Sequence, residues 1–109
     1  MVFKQAQIVD KIVVFPNPFT DKTTLQIRPI NDSDDLEAQI SIIDLTGKLI
    51  RTFSRISYNT DPQWDVAEWD GTNQYGQNVA AGMYFFRGQI RSLITQEVQT
   101  ISSKVVCVR

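Results

Sequence analysis

The 109-residue chain contains no histidine and a single cysteine, Cys107. The first absence removes the usual imidazole base for a serine or cysteine nucleophile. The second excludes an internal disulfide and leaves the redox compartment open. Cys107 sits in a valine-rich segment and reads as a small core residue. No set of cysteines and histidines has metal-ligand spacing, and no glycine-rich phosphate loop precedes a helix. No apolar run approaches the roughly eighteen residues that a spanning helix needs. Residues 1–6 lack the basic start and apolar core of a secretory signal, so any export signal lies elsewhere. That suits a piece of a longer protein, with Met1 a cloning residue. Neither sign of charge dominates, with eleven basic and twelve acidic residues and a net charge of −1. No global field therefore draws the chain to nucleic acid or to an anionic membrane.

What is present is β pattern. The length suits one domain, large enough to remove roughly two thirds of its unfolded surface from water. The densest stretch runs from Trp69-Asp70-Gly71 through Gly76 and Gly82 to Met83-Tyr84-Phe85-Phe86. Three glycines free to take positive φ separate two aromatic-bearing extended segments, as in a β-hairpin or β-arch. Upstream, Ile12 to Phe15 form an apolar run that Pro16-Asn17-Pro18-Phe19 ends, since neither proline can donate to a ladder. Ile8 and Val9 stay between strand and linker. Thr23, Leu25 and Ile27 alternate with polar residues, as do Ala38, Ile40 and Ile42, and Asp44 to Gly47 forms the turn of a local hairpin. Arg51 and Arg55 read as solvated charge on its far side.

Seven extended segments result, at about 11–15, 22–28, 37–44, 48–54, 63–69, 80–91 and 97–108. With no helical periodicity between them, they predict an all-β, immunoglobulin-like antiparallel sandwich. Residues 1–10 read as linker or cloning residues, and 11–109 as the domain.

Candidate chemistry is sparse. The run Asn31-Asp32-Ser33-Asp34-Asp35 suggests calcium, but no complete loop with a closing glutamate follows, so a solvated turn is preferred. Asp65, Glu68 and Asp70 are close in sequence. On a regular strand Asp65 projects away from the other two, and Asp70 is the natural turn residue, which disfavours a glycosidase-type pair. Trp64 and Trp69 fall on opposite faces of their strand. With Tyr75 they raise a sugar-stacking platform, against which core or corner filling is the preferred reading. The expected catalytic residues, metal ligands and cofactors are none.

The order Phe15-Pro16-Asn17-Pro18-Phe19, Ile43-Asp44-Leu45-Thr46-Gly47-Lys48-Leu49-Ile50-Arg51, Trp69-Asp70-Gly71 with Gly76, Val79-Ala80-Ala81-Gly82-Met83-Tyr84-Phe85-Phe86-Arg87 and a closing Lys104-Val105-Val106-Cys107-Val108-Arg109 resembles the C-terminal sorting domain of the type IX secretion system, over residues 12–109. That resemblance implies an immunoglobulin-like sandwich that directs a passenger in the same chain across the outer membrane of Bacteroidetes-type bacteria. Its implied partners are the secretion translocon and a cell-surface sortase, its route is through the periplasm to the cell surface or medium, and it is not itself an enzyme. Pro16, Asn17 and Pro18 would mark the entry of the sandwich. Trp69, Asp70 and Gly71 would form its central turn, with Gly47, Gly76 and Gly82 as further structural positions. Lys104, Val105, Val106, Cys107, Val108 and Arg109 would be the part the translocon reads. The segment Arg91 to Ser103 is longer than in many members and is similar to that of the gingipain-type sortase.

A second class stays open, because the Trp-Asp-Gly block is also similar to structural or adhesive sandwiches, such as those of flagellar hook-capping proteins and secreted enzymes. For the sorting reading, a last strand with exposed backbone groups could add to the edge of a partner sheet. Val106 and Val108 would share one face of that strand, and Val105 and Cys107 the other. Deleting the last six residues is expected to abolish export without necessarily unfolding the sandwich.

Overall fold

Alternating apolar residues separated by turn-forming clusters build seven strands in a computed structural model that describes residues 7–109. Of the expected linker at residues 1–10, residues 1–6, including Met1, lie outside the described residues. The strands are β1 (Val9–Phe15), β2 (Thr23–Pro29), β3 (Leu36–Asp44), β4 (Leu49–Ser57), β5 (Trp64–Trp69), β6 (Gly82–Ser92) and β7 (Val98–Cys107). They form a three-stranded sheet in the order β1-β2-β5 and a four-stranded sheet in the order β4-β3-β6-β7, every pair antiparallel. Among the described residues, no helix is long and apolar enough to cross a membrane. The fold is an all-β, immunoglobulin-like sandwich.

The two sheets meet through their period-two faces. Leu25, Ile27 and Trp69 from the smaller sheet and Ile40, Ile42, Phe86, Ile90 and Val105 from the larger are essentially buried. Each such side chain contributes about 1.5–3 kcal/mol by leaving water. Cys107 is buried among them, a small core residue as its sequence context suggests. Ile8 and Val9 are buried too, and β1 opens at Val9, which resolves that pair in favour of the strand.

Four expectations need correction. The tryptophans do not occupy opposite faces of β5. A register shift pairs Leu25 with Ala67 and Gln26 with Asp65, so Val66 is an extra residue, and both Val66 and Ala67 are buried. A bulge of this kind reverses the alternation beyond it. Trp69 is completely buried, Trp64 packs against the core, and Asp65 joins Glu68 on the exposed side. A tryptophan platform for sugars therefore does not exist on this strand.

Arg51 and Arg55 keep contact with solvent, Arg55 exposed and Arg51 half-buried, but they do not lie on the far side of their hairpin. They pair with the inward residues Ile42 and Ala38, and their guanidinium carbons lie 5.0 Å and 5.6 Å from the centroid of Phe53. Lying at the sheet edge, they roof an aromatic ring that would otherwise meet water.

The segment Arg91 to Ser103 is no long loop. Arg91 pairs with Val98, and a turn over residues 93–97 joins two long strands. Finally, Val105 and Cys107 are core, so removing residues 104–109 takes buried surface from the sandwich as well as any signal.

The acidic run after β2 stitches loops together. The Asp34 carboxylate accepts from the Ser92 hydroxyl at 3.0 Å, the Asp35 carboxylate from the Asn59 amide at 2.8 Å, and the Asp35 carbonyl from the Leu93 amide at 2.7 Å. Among the described residues, no group of three or more carboxylate, cysteine or histidine side chains is placed to hold a metal ion.

Candidate functional site

Three blocks far apart in sequence meet at one corner of the sandwich. The first is Pro16-Asn17-Pro18-Phe19, whose two prolyl bonds are both cis. Its geometry is tied down by Thr23, fully buried, whose hydroxyl donates to the Pro16 carbonyl at 2.8 Å.

From this corner the Asn17 side chain reaches the outer edge of β7. Its Nδ2 donates to the Lys104 carbonyl at 3.0 Å, and its Oδ1 accepts from the Val106 amide, also at 3.0 Å. The planar amide thus offers a strand what another strand would, one donor and one acceptor side by side. Two residues on, the Phe19 amide donates to the Val106 carbonyl at 2.9 Å and its carbonyl accepts from the Val108 amide at 2.9 Å, a short parallel bridge. Four outward backbone groups of residues 104–108 are therefore taken. The expected free edge for strand addition is closed here, because the proline-rich corner supplies the missing neighbour.

The second block is the Trp69-Asp70-Gly71 turn. The Trp69 ring lies at the centre of an aromatic cluster, with centroids 5.3 Å from Phe19, 5.1 Å from Tyr84 and 6.3 Å from Phe86. Edge and tilted arrangements of this kind add to the area they bury. Its indole N–H donates to the Thr72 carbonyl at 2.8 Å, so the one polar atom of a buried ring is satisfied. Phe19 consequently has two jobs: its ring packs on Trp69 while its backbone holds β7.

Asp70 organises the turn from outside. Its carboxylate accepts from the Thr72 hydroxyl and amide, and lies 3.2 Å from the Arg51 guanidinium. The Thr72 hydroxyl holds the Asp70 carboxyl below its ordinary value, with the Arg51 charge a smaller contribution. Asp44 repeats the device in the β3–β4 turn, lowered chiefly by the Thr46 hydroxyl and then by the Lys48 amide. Gly47, Gly71 and Gly76 have φ of +86°, +77° and +79° at the turns that need them, and Gly82 opens β6 at +154°.

The third block is the end of β7 and the residues after it. Val105 and Cys107 face the core, whereas Val106 and Val108 are partly exposed, the two-faced division read from the sequence. Arg109 then turns back. Its Nη2 donates to the Gly71 carbonyl at 2.6 Å and its Nε to the Cys107 sulfur at 3.3 Å. Lys104 projects outward and exposed.

Pro16, Asn17 and Pro18, the Trp69-Asp70-Gly71 turn and residues 104–109 are thus brought together, while Gly47, Gly76 and Gly82 serve separate turns. Sequence reasoning missed Phe19, Thr23 and Arg51 as parts of this corner. Phe19 and Arg51 carried a signal only as members of the quoted blocks, and Thr23 carried none. The exposed Tyr75 stands by an open groove of about 560 Å³ between Lys48–Ile50 and the loop after Trp69, where Lys48 is the one charged lining residue.

A family model described as a secretion system C-terminal sorting domain matches residues 13–107. Among solved structures, dimeric latent PorU from Porphyromonas gingivalis is similar over 89% of this chain and 9% of that one, with a TM-score of 0.71 and 24% identity. PorZ from the same organism, described as an essential bacterial surface component of its type IX secretion system, aligns over 92% of this chain and 12% of that one, at 19% identity and a TM-score of 0.46. The chain spans about a tenth of the length of either, and the likeness to PorU is one of fold. No curated protein sequence is found to match.

Proposed function

The chain belongs to the family of C-terminal sorting domains of the type IX secretion system, and from that membership we propose that residues 104–109, held in the corner described above, are the part of the signal its translocon reads. The family's role is that of a sorting signal for export to the cell surface or the medium, its partners belong to the secretion machinery, and the domain is not catalytic by family. In this reading the signal domain runs from β1, which opens at Val9 ahead of the expected boundary at residue 11, to residue 109. A passenger in the same chain crosses the periplasm, the translocon engages the domain, and a cell-surface sortase acts on the delivered protein.

The observation that carries the reading is convergence. Asn17 and Phe19 bind residues 104–108 along the outer edge, and Arg109 closes on Gly71. One corner therefore fixes how Lys104, Val106 and Val108 are displayed. A free tail would pay the ordering entropy on recognition, whereas a pinned strand has paid it in folding.

The test compares a signal peptide–fluorescent reporter fusion carrying the whole chain with one ending at Ser103, in a bacterium with a type IX system. Surface delivery of the first and periplasmic retention of the second is the expected result. Since the truncation also removes the buried Val105 and Cys107, a fusion with Lys104→Ala and Val108→Ser, which leaves the core intact, accompanies it and is expected to be delivered less well. Equal delivery of all three would overturn the assignment.

A further inference from the structure

The closed edge of β7 raises the question of what part of the strand a partner can reach. Residues 98, 100, 102, 104 and 106 face outward on the four-stranded sheet, and their cross-strand neighbours can be read from the register. Lys104 lies opposite Phe85, which lies opposite Ile43, which lies opposite Leu49; Val106 lies opposite Met83. These rows form an apolar outer patch of Ile43, Leu49, Met83, Phe85 and Val106, extended by the exposed Leu45 of the adjoining turn.

The middle rows of the same face are polar, and the far row is mixed, with Glu37 and Arg91 between the exposed Ile56 and Val98. Ser41, Thr52, Arg87 and Ser102 occupy the next row, and Gln39, Ser54, Gln89 and Thr100 the one after it. A solvated sheet face needs no contiguous apolar patch, and one gathered at one end beside polar rows is the pattern of a surface that meets something.

The charges beside the patch are mostly basic: the one carboxylate there, Asp44, is turned into the β3–β4 turn, where it accepts from the Thr46 hydroxyl and the Lys48 amide. Lys104 and Arg87 stand on the face and Lys48 in the adjoining turn, and among the described residues none of the three is in an ion pair. Glu37, the one carboxylate on the outward positions of this sheet, lies at the far end and is bound by Arg91 at 3.2 Å.

We infer that this patch is where the secretion machinery docks, and that the occupant is a protein surface with an apolar centre and a carboxylate-bearing rim. The inference rests on the sorting reading and names how the signal is read: through outward side chains of β7 together with β3, β4 and β6, not through the strand's edge. Residues 104 and 106 supply the part of the patch that lies within the proposed signal. A second copy of the chain is a poor occupant, since two such patches facing each other oppose like charges. A bilayer is a poor one as well. Insertion needs a broad set of apolar side chains that stand clear, and of this patch only Leu45 and Leu49 do, while Ile43, Met83, Phe85 and Val106 are partly buried between their neighbours.

The experiment uses the reporter fusion of the whole chain. Phe85→Thr and Ile43→Thr remove apolar surface while keeping β-compatible residues, and Arg87→Glu with Lys104→Glu reverses the sign of the rim while keeping the apolar residues of the patch. Each is expected to lower surface delivery about tenfold, equivalent to about 1.4 kcal/mol of lost recognition. Melting temperatures should stay near the parent's, Lys104→Arg should retain delivery, and Gln39→Ala and Thr100→Ala in the polar rows should change nothing. Delivery of the patch and charge variants at the parental level would overturn the inference while leaving the sorting reading standing. A parental fusion that is never delivered would remove both.

Two measurements on the purified chain test the occupant: sedimentation for self-association, and cosedimentation with phosphatidylglycerol vesicles. Neither dimer nor vesicle binding is expected. A dimer or a vesicle-bound state abolished by Phe85→Thr would replace the protein occupant with a second copy or with lipid.

Discussion

Arg109 and Gly71 lie 38 positions apart in the chain and are joined by a hydrogen bond of 2.6 Å from the guanidinium Nη2 to the glycine carbonyl. The same guanidinium covers the glycine so closely that a Cβ there would run into it, and the φ of +77° disfavours a side chain in any case. Arg109→Ala is expected to destabilise the domain by about 1 kcal/mol. Gly71→Ala should cost more, since it adds backbone strain to loss of the same contact. Urea unfolding of the two variants checks this, and a Gly71→Ala variant as stable as the parent would contradict it.

Asn17 is expected to govern the mobility of the last strand. Asn17→Ala removes one donor and one acceptor from the edge of β7, at about 1–2 kcal/mol in total. Asn17→Asp should be worse, because a carboxylate has no proton to offer the Lys104 carbonyl. Hydrogen exchange at the Val106 amide should accelerate in both variants, ahead of any change in β3.

Much of this was legible in the chain, and the remainder divides by cause. All seven strands fall within three residues of their expected ends. Alternation at Thr23–Ile27 and Ala38–Ile42 and the turn chemistry of Asp44 to Gly47 are local signals, written in adjacent residues. The bulge at Val66 depends on pairing with β2, which the sequence of β5 does not contain, and it moved Asp65 and one tryptophan to the other face. The inward placement of Arg51 and Arg55 likewise depends on register with β3. The corner itself was half legible: its blocks stood out as motifs, but their meeting depends on contacts spanning 38 to 89 positions.

Two glycines of β6 should fail for different reasons. A Cβ at Gly88 would strike the Gln39 carbonyl of the neighbouring strand, so Gly88→Ala is expected to lose about 2 kcal/mol or more through forced backbone movement. Gly82 has open space around it and a φ of +154°, so Gly82→Val should cost about 1 kcal/mol from backbone conformation alone. Thermal melts should rank Gly88→Ala below Gly82→Val, and the reverse order would contradict the account.

Acid should weaken the turns. The carboxyls of Asp70 and Asp44 are both held below their ordinary value of 3.8 by threonine hydroxyls, so the folded state binds protons less readily than the unfolded one. Their contribution is fully present above about pH 4–5 and is lost as pH falls through the lowered folded values. Asp70→Asn should reduce the acid dependence of stability without removing it, because Asp44 titrates in the same sense. Denaturant midpoints between pH 2 and 7 report the slope, and an unchanged slope would contradict the assignment.

The central claim is that this sandwich sorts what it is attached to. Its most direct test places the whole chain behind a signal peptide and a fluorescent reporter and fractionates cells with an intact type IX system against a secretion-deficient strain. Reporter on the surface or in the medium of the first strain alone is the expected result, and its recovered size shows whether the domain is removed on arrival. Reporter held in the periplasm of both strains would contradict the claim.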